Sequence, residues 1–131
     1  MKSVGTLRYS PKLLGDRTSE NWYLVLDCDP NIGTYYRGLY RLLHQKTRQL
    51  MRPAWDSHIT VVRNEEPPHK ELWEKYNGKQ VQFDYEHNTL TNGKYWWVTV
   101  VCEELLDIRV ELGILRDPEF PLHLSVGHNV S

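Results

Sequence analysis

The sequence predicts an α+β domain of two lobes set around a central groove, and three observations predict it. Strand-length segments dense in branched and aromatic residues alternate with two segments of helical period. These elements fall into two halves of comparable order, each closing on a strand that carries a histidine. No Gly/Ser linker or change of composition divides the 131 residues, so residues 1–131 read as one domain.

The elements follow in order. Arg8 and Tyr9 fall in a short segment that can form an early strand. Trp22 to Leu26 is a strand by its aromatic and branched content, closed by Asp27-Cys28-Asp29-Pro30. A helix is expected from about Asn31 to Leu50, because Tyr36, Leu39, Tyr40 and Leu43 recur at helical spacing. Pro53 ends it. His58 to Val62 is the next strand, stopped by Asn64 and the Pro67-Pro68 pair. Glu71 to Tyr76 is a short amphipathic piece. In the strand after Gly78, Val81, Phe83 and Tyr85 alternate with Gln80, Gln82 and Asp84. Asn92-Gly93 signals a turn, and Tyr95 to Val101 is a strand apolar on both faces. Glu103 to Leu112 reads as a helix with Leu105, Ile108 and Leu112 on one stripe and Gly113 at its end. After Pro118 and Pro121 the chain closes with the strand Leu122 to Val126.

Composition narrows the function. Hydrophobic residues at 40% and charged residues at 25% are those of a globular domain. No apolar stretch is long enough to span a membrane, and Met1 to Tyr9 lacks the apolar core of a signal peptide. A cytoplasmic protein with Cys28 and Cys102 as reduced, buried thiols is therefore expected. A net charge of -1 disfavours a long nucleic acid, whose binding needs many cations, and favours a small nucleotide. Five Trp and eight Tyr in so short a chain supply rings for the core and for stacking on a base.

The chemistry is carried by two strands of one pattern. His58-Ile59-Thr60-Val61 and His123-Leu124-Ser125-Val126 both read histidine, apolar, hydroxyl, apolar. On a strand, side chains alternate between faces, so His58 shares a face with Thr60, and His123 with Ser125. Each strand offers an imidazole and a hydroxyl side by side. An imidazole titrating near pH ~6.5 serves as acid or base, and phosphodiester cleavage needs one of each. Thr60 and Ser125 would donate hydrogen bonds to the non-bridging oxygens. No metal or other cofactor is required. Either motif alone would pass as structural; the pair, 65 residues apart, carries the argument.

With those two motifs in this element order, the chain resembles the 2H phosphoesterase superfamily from Trp22 to Val126, most of its length. Relatives in that superfamily include the LigT-type RNA 2',3'-cyclic phosphodiesterases, viral enzymes that cut 2'-5' oligoadenylate, and phage enzymes that destroy cyclic oligonucleotide signals. The resemblance implies two mainly antiparallel sheets with outer helices around a central groove. It maps catalytic roles onto His58, Thr60, His123 and Ser125. Its compact size and the segment Trp55 to Pro68 are most similar to small stand-alone phage members. That similarity implies a counter-defence enzyme working in the host cytoplasm on a cyclic oligonucleotide, a 2'-5' linked oligonucleotide or a 2',3'-cyclic phosphate.

Substrate contacts are expected from Tyr9 and Tyr23 by stacking, from Trp97 on a strand bordering the groove, and from Arg63 beside the first motif. Glu65 and Glu66 could rim the site. His44, His69, His87 and His128 form no ligand spacing for a metal, and His44 belongs to the polar side of its helix. The alternative in another class is a module that holds a nucleotide without turning it over.

Overall fold

A computed structural model describes residues 1–10, 22–45, 48–53 and 57–129 of the chain. Its elements run β1 (Lys2–Tyr9), β2 (Tyr23–Asp27), α1 (Pro30–Leu43), β3 (His58–Arg63), a 3-10 turn (Lys70–Leu72), β4 (Gln80–Thr91), β5 (Tyr95–Val101), α2 (Glu103–Glu111) and β6 (His123–His128). The protein is α+β and its strand pairs are antiparallel. The expected two sheets are instead one closed sheet in the order β1-β2-β3-β6-β5-β4. Two joints close it. β1, a full eight-residue strand, pairs with β2 on one side and β4 on the other, and β3 meets β6 through Ile59 and Leu124. A closed sheet has no free edges, and its inner side chains form the core.

The alternation of side chains fills that interior. Leu7 and Tyr9, Leu24 and Leu26, Val98 and Val100, and Val81, Phe83 and Tyr85 are buried from successive strands, joined by Ile59 and Leu124. Each such residue contributes ~1.5–3 kcal/mol by leaving water. Cys28 and Cys102 are both buried free thiols. Burial, with the charge of Asp27 adding to it, pushes the Cys28 thiol up to about 12.

Helix α1 starts where its sequence provides a start. Asp29 caps it by accepting the Asn31 N–H at 2.9 Å, and Pro30 occupies the first turn, where no N–H is needed. It ends at Leu43, well before the expected Leu50. Gln45 takes a left-handed φ of 54°, and its N–H turns back to Leu42 O. Leu50 is then free to be buried against the barrel. Of the expected apolar stripe only Tyr36 is buried; Leu39 and Leu43 are exposed. The piece expected at Glu71 to Tyr76 is a single 3-10 turn, Lys70–Leu72. Helix α2 has Glu103 and Glu104 in its first turn, where they complement the helix dipole. Gly113 follows it at φ 87°, the left-handed position that favours glycine. Among the described residues no helix is long and apolar enough to cross a membrane.

The extra strand makes the halves equal. β1-β2-α1-β3 and β4-β5-α2-β6 share one element order. They meet at a local twofold through the Ile59–Leu124 pair, the second residue of each motif.

Candidate active site

The Ile59–Leu124 pair fixes what the motifs can do together. Both residues are wholly buried, so their side chains point into the barrel. Carried one residue each way, that antiparallel register sets His58 opposite Ser125 and Thr60 opposite His123. All four residues lie on the outer face and are half-buried. Residues opposite one another have Cβ atoms about 5 Å apart, and diagonal neighbours such as the two histidines about 7–8 Å. Two imidazoles and two hydroxyls thus stand in one row on the outer face of the barrel.

One imidazole has its tautomer set by a hydrogen bond. His123 Nδ1–H donates to the Pro121 carbonyl oxygen at 2.8 Å. A carbonyl only accepts, so Nε2 is the nitrogen left to give or take a proton. Trp97 lies on the same face, opposite Ser125 in β5, and its ring is edge-on to His123 at 6.2 Å between centroids. The flanks differ chemically. Asp27 stands opposite His58 and is gripped by Arg8 at 2.7 and 3.0 Å, whereas Thr99 stands opposite His123.

Both motif strands are anchored in the same way. Leu24 pairs with Val62 and Val25 with Thr60, so Val61 is an extra residue in β3. Trp96 pairs with Gly127 and Trp97 with Ser125, so Val126 is an extra residue in β6. Each is the fourth residue of its motif. Arg109 of α2 donates from Nη1 to Val61 O at 2.8 Å, and Arg37 of α1 donates from Nη1 to Val126 O at 2.9 Å. Each helix therefore reaches across the local twofold to hold the other half's motif. Ser57 adds a fixed point just before His58. Its buried hydroxyl accepts the Gly33 N–H at 3.0 Å and donates to Pro30 O at 3.3 Å, tying the start of β3 to the first turn of α1.

Two cavities flank the histidine face. One of about 250 Å³ is lined by Thr60 and His123 together with Arg63, Glu65, Asp117 and Phe120. The other, about 240 Å³, is lined by Pro53, Tyr95, Ser125, Gly127 and His128. His58 lies between them, opposite Ser125, and lines neither. Glu65 is more than a rim residue: it makes a two-pronged ion pair with Arg109, whose N–H donors hold the carboxyl below its usual range. Phe120 is 57% exposed beside this cavity, with the Arg63 guanidinium 5.9 Å from its ring centre.

The expected substrate residues separate by face. Trp97 and Arg63 stand beside the motif row. Tyr23 pairs with Arg63 at the far end of β2. Tyr9 does not join them. Its side chain points into the barrel, 7% exposed and edge-on to Trp73, because Arg8 takes the outer position on β1. His44, on the polar side of its helix, is half-buried: its ring lies tilted against that of Tyr40 at 4.1 Å, and its Nδ1–H donates to Tyr40 O. Ser57, Arg37, Arg109 and Phe120 were not expected from sequence. Of these only Arg109 leaves a signal, since it occupies the i+4 position of the stripe Leu105, Ile108, Leu112. Among the described residues, no three His, Cys, Asp or Glu side chains gather as a metal-binding group. No family model matches the chain, and no curated protein or solved structure matches it significantly.

Proposed function

We propose that the protein is a metal-independent phosphodiesterase of the 2H type, acting on a small nucleotide or short oligonucleotide by histidine acid/base catalysis. The register of β3 against β6 carries this reading, because it turns two separated motifs into one row of imidazole and hydroxyl groups. One histidine takes the proton from a water or a ribose 2'-hydroxyl as that oxygen forms its bond to phosphorus. The other gives a proton to the departing oxygen as its bond to phosphorus breaks. The hydroxyls of Thr60 and Ser125 donate to the non-bridging oxygens as charge builds on them. A cytoplasmic setting, expected from the sequence, and a role against a host immune signal, which rests on the resemblance alone, belong to the same proposal.

Turnover is read on cyclic dinucleotides, cyclic trinucleotides, 2'-5' oligonucleotides and RNA ending in a 2',3'-cyclic phosphate. The wild type should release product from at least one of them in the presence of chelator. His58→Ala and His123→Ala should each lower kcat on the order of 10²–10⁴-fold without loss of fold. Loss of wild-type activity on adding chelator, or full activity in either variant, overturns the mechanism. A ligand retained but never cleaved by the wild type supports the binding module instead.

A further inference from the structure

The two cavities beside the motif row are chemically unlike, and their difference says where the rest of a substrate lies. The cavity on the Thr60 and His123 side has the carboxylates of Glu65, Asp117 and Glu119 in its wall. Among the described residues that line it, the cavity on the Ser125 side has no carboxylate, and it continues directly from the motif face along β6. Around it the described groups are donors. Arg37 is anchored on Val126 O, between the lining residues Ser125 and Gly127. Lys94 Nζ lies 5.4 Å from the ring centre of Tyr95, which lines the cavity, and the His128 ring lies 6.1 Å from that same ring. With a cation over it and an imidazole beside it, Tyr95 offers its hydroxyl more readily than a face on which a base could stack.

The backbone is shaped to keep this space. Gly127 has the segment from Leu50 to Pro53 crossing over it, and Met51 exchanges both backbone hydrogen bonds with His128. A Cβ on Gly127 would lie 2.6 Å from Met51 O and 2.9 Å from Leu50 Cβ, so only glycine permits the crossing.

We propose that the cavity beside Ser125 binds a second phosphate group, one nucleotide away from the phosphodiester held at the histidines. This rests on the phosphodiesterase reading for the first phosphate and narrows its substrate to an oligonucleotide, linear or cyclic, in preference to a nucleoside 2',3'-cyclic phosphate. Lys94, His128 and the Tyr95 hydroxyl hold the second phosphate. On the other side, the nucleoside meets Phe120, with the carboxylates available to ribose hydroxyls.

Ligands without a diester separate binding from turnover. Affinities of the wild type for adenosine 3'-phosphate, adenosine 5'-phosphate and adenosine 3',5'-bisphosphate are measured by calorimetry at low and high salt. The bisphosphate should bind at least tenfold more tightly than either monophosphate at low salt, with the advantage shrinking at high salt. Lys94→Met, at an exposed turn position, and His128→Ala should each remove most of that advantage while leaving monophosphate binding unchanged. Equal affinity for mono- and bisphosphate, or an advantage that survives in both variants, overturns the second site. If the advantage holds but no diester is ever cleaved, it is the catalytic reading that falls; if diesters are cleaved without the advantage, only this subsite falls.

Discussion

Arg109 shows how one residue in the wall of a cavity can brace the strands around it. It is 1% exposed and spends its donors on Leu115 O, Arg116 O, Val61 O and both oxygens of Glu65. Its Nε and both Nη1 hydrogens are spent in this way within a buried side chain, so its role is to fix the loop before β6 and the end of β3. Glu65→Gln leaves a buried guanidinium with a neutral partner. The expected cost is about 2 kcal/mol, below that of a fully buried pair because the Glu65 side chain keeps 35% exposure. The pH dependence follows from the hydrogen bonds that lower the Glu65 carboxyl in the folded state. A depressed folded value stabilises above the unfolded carboxylate range of ~4.3, and that stability is lost as pH falls through the folded value. The difference in urea midpoint between wild type and Glu65→Gln should therefore be full at neutral pH and shrink toward about pH 3. An undiminished difference there would sink the assignment. The stripe position of Arg109 marks a buried charge in the sequence, but nothing local names a partner 44 residues away.

Elements explain why some of the fold was legible and some was not. The histidine strands were readable because their four motif residues alternate cleanly. Only the end of β1 is legible, because its inward set, Ser3, Gly5, Leu7 and Tyr9, is apolar only in its second half. Gly5 sits where a Cβ would lie 2.6 Å from Leu26 Cγ and 2.7 Å from Asp27 O, so close approach of β2 replaced a side chain that would have completed the pattern. The end of α1 is not legible in the sequence for a tertiary reason, the return of Leu50 to the barrel. Least visible was the reciprocal holding of Val61 by Arg109 and Val126 by Arg37, since a bulge carbonyl leaves no trace in sequence. Arg37→Met keeps the stem of that side chain and removes its donors. It should cost about 1 kcal/mol in stability and, on the proposed function, lower kcat more than KM, because Ser125 and His123 lose alignment while the side chains proposed to touch the phosphates are all still present. Arg37→Lys should recover part of kcat by supplying one donor. A kcat unchanged in Arg37→Met would show that the bulge needs no such hold.

At the scale of the whole molecule, the barrel is two three-stranded halves closed by two unequal joints. β1 and β4 share five register pairs, while β3 and β6 share one, Ile59 with Leu124. Every other joint has four or five. The groove expected between two lobes corresponds here to a sparsely paired seam in a single sheet, with the motif row along it. Few backbone hydrogen bonds cross the seam, so opening it should cost less than opening the β4–β5 hairpin. Hydrogen exchange read by mass spectrometry should find peptides spanning His58 to Val61 and His123 to Val126 exchanging before those spanning Leu24 to Leu26 and Val98 to Val100. On the proposed function a nucleotide bound across the row would bridge β3 and β6, so it should slow exchange at the seam more than elsewhere. If the seam peptides match the other strands without ligand, the barrel is uniformly closed. The histidines would then sit on a rigid wall, and substrate would have to fit the groove as it stands.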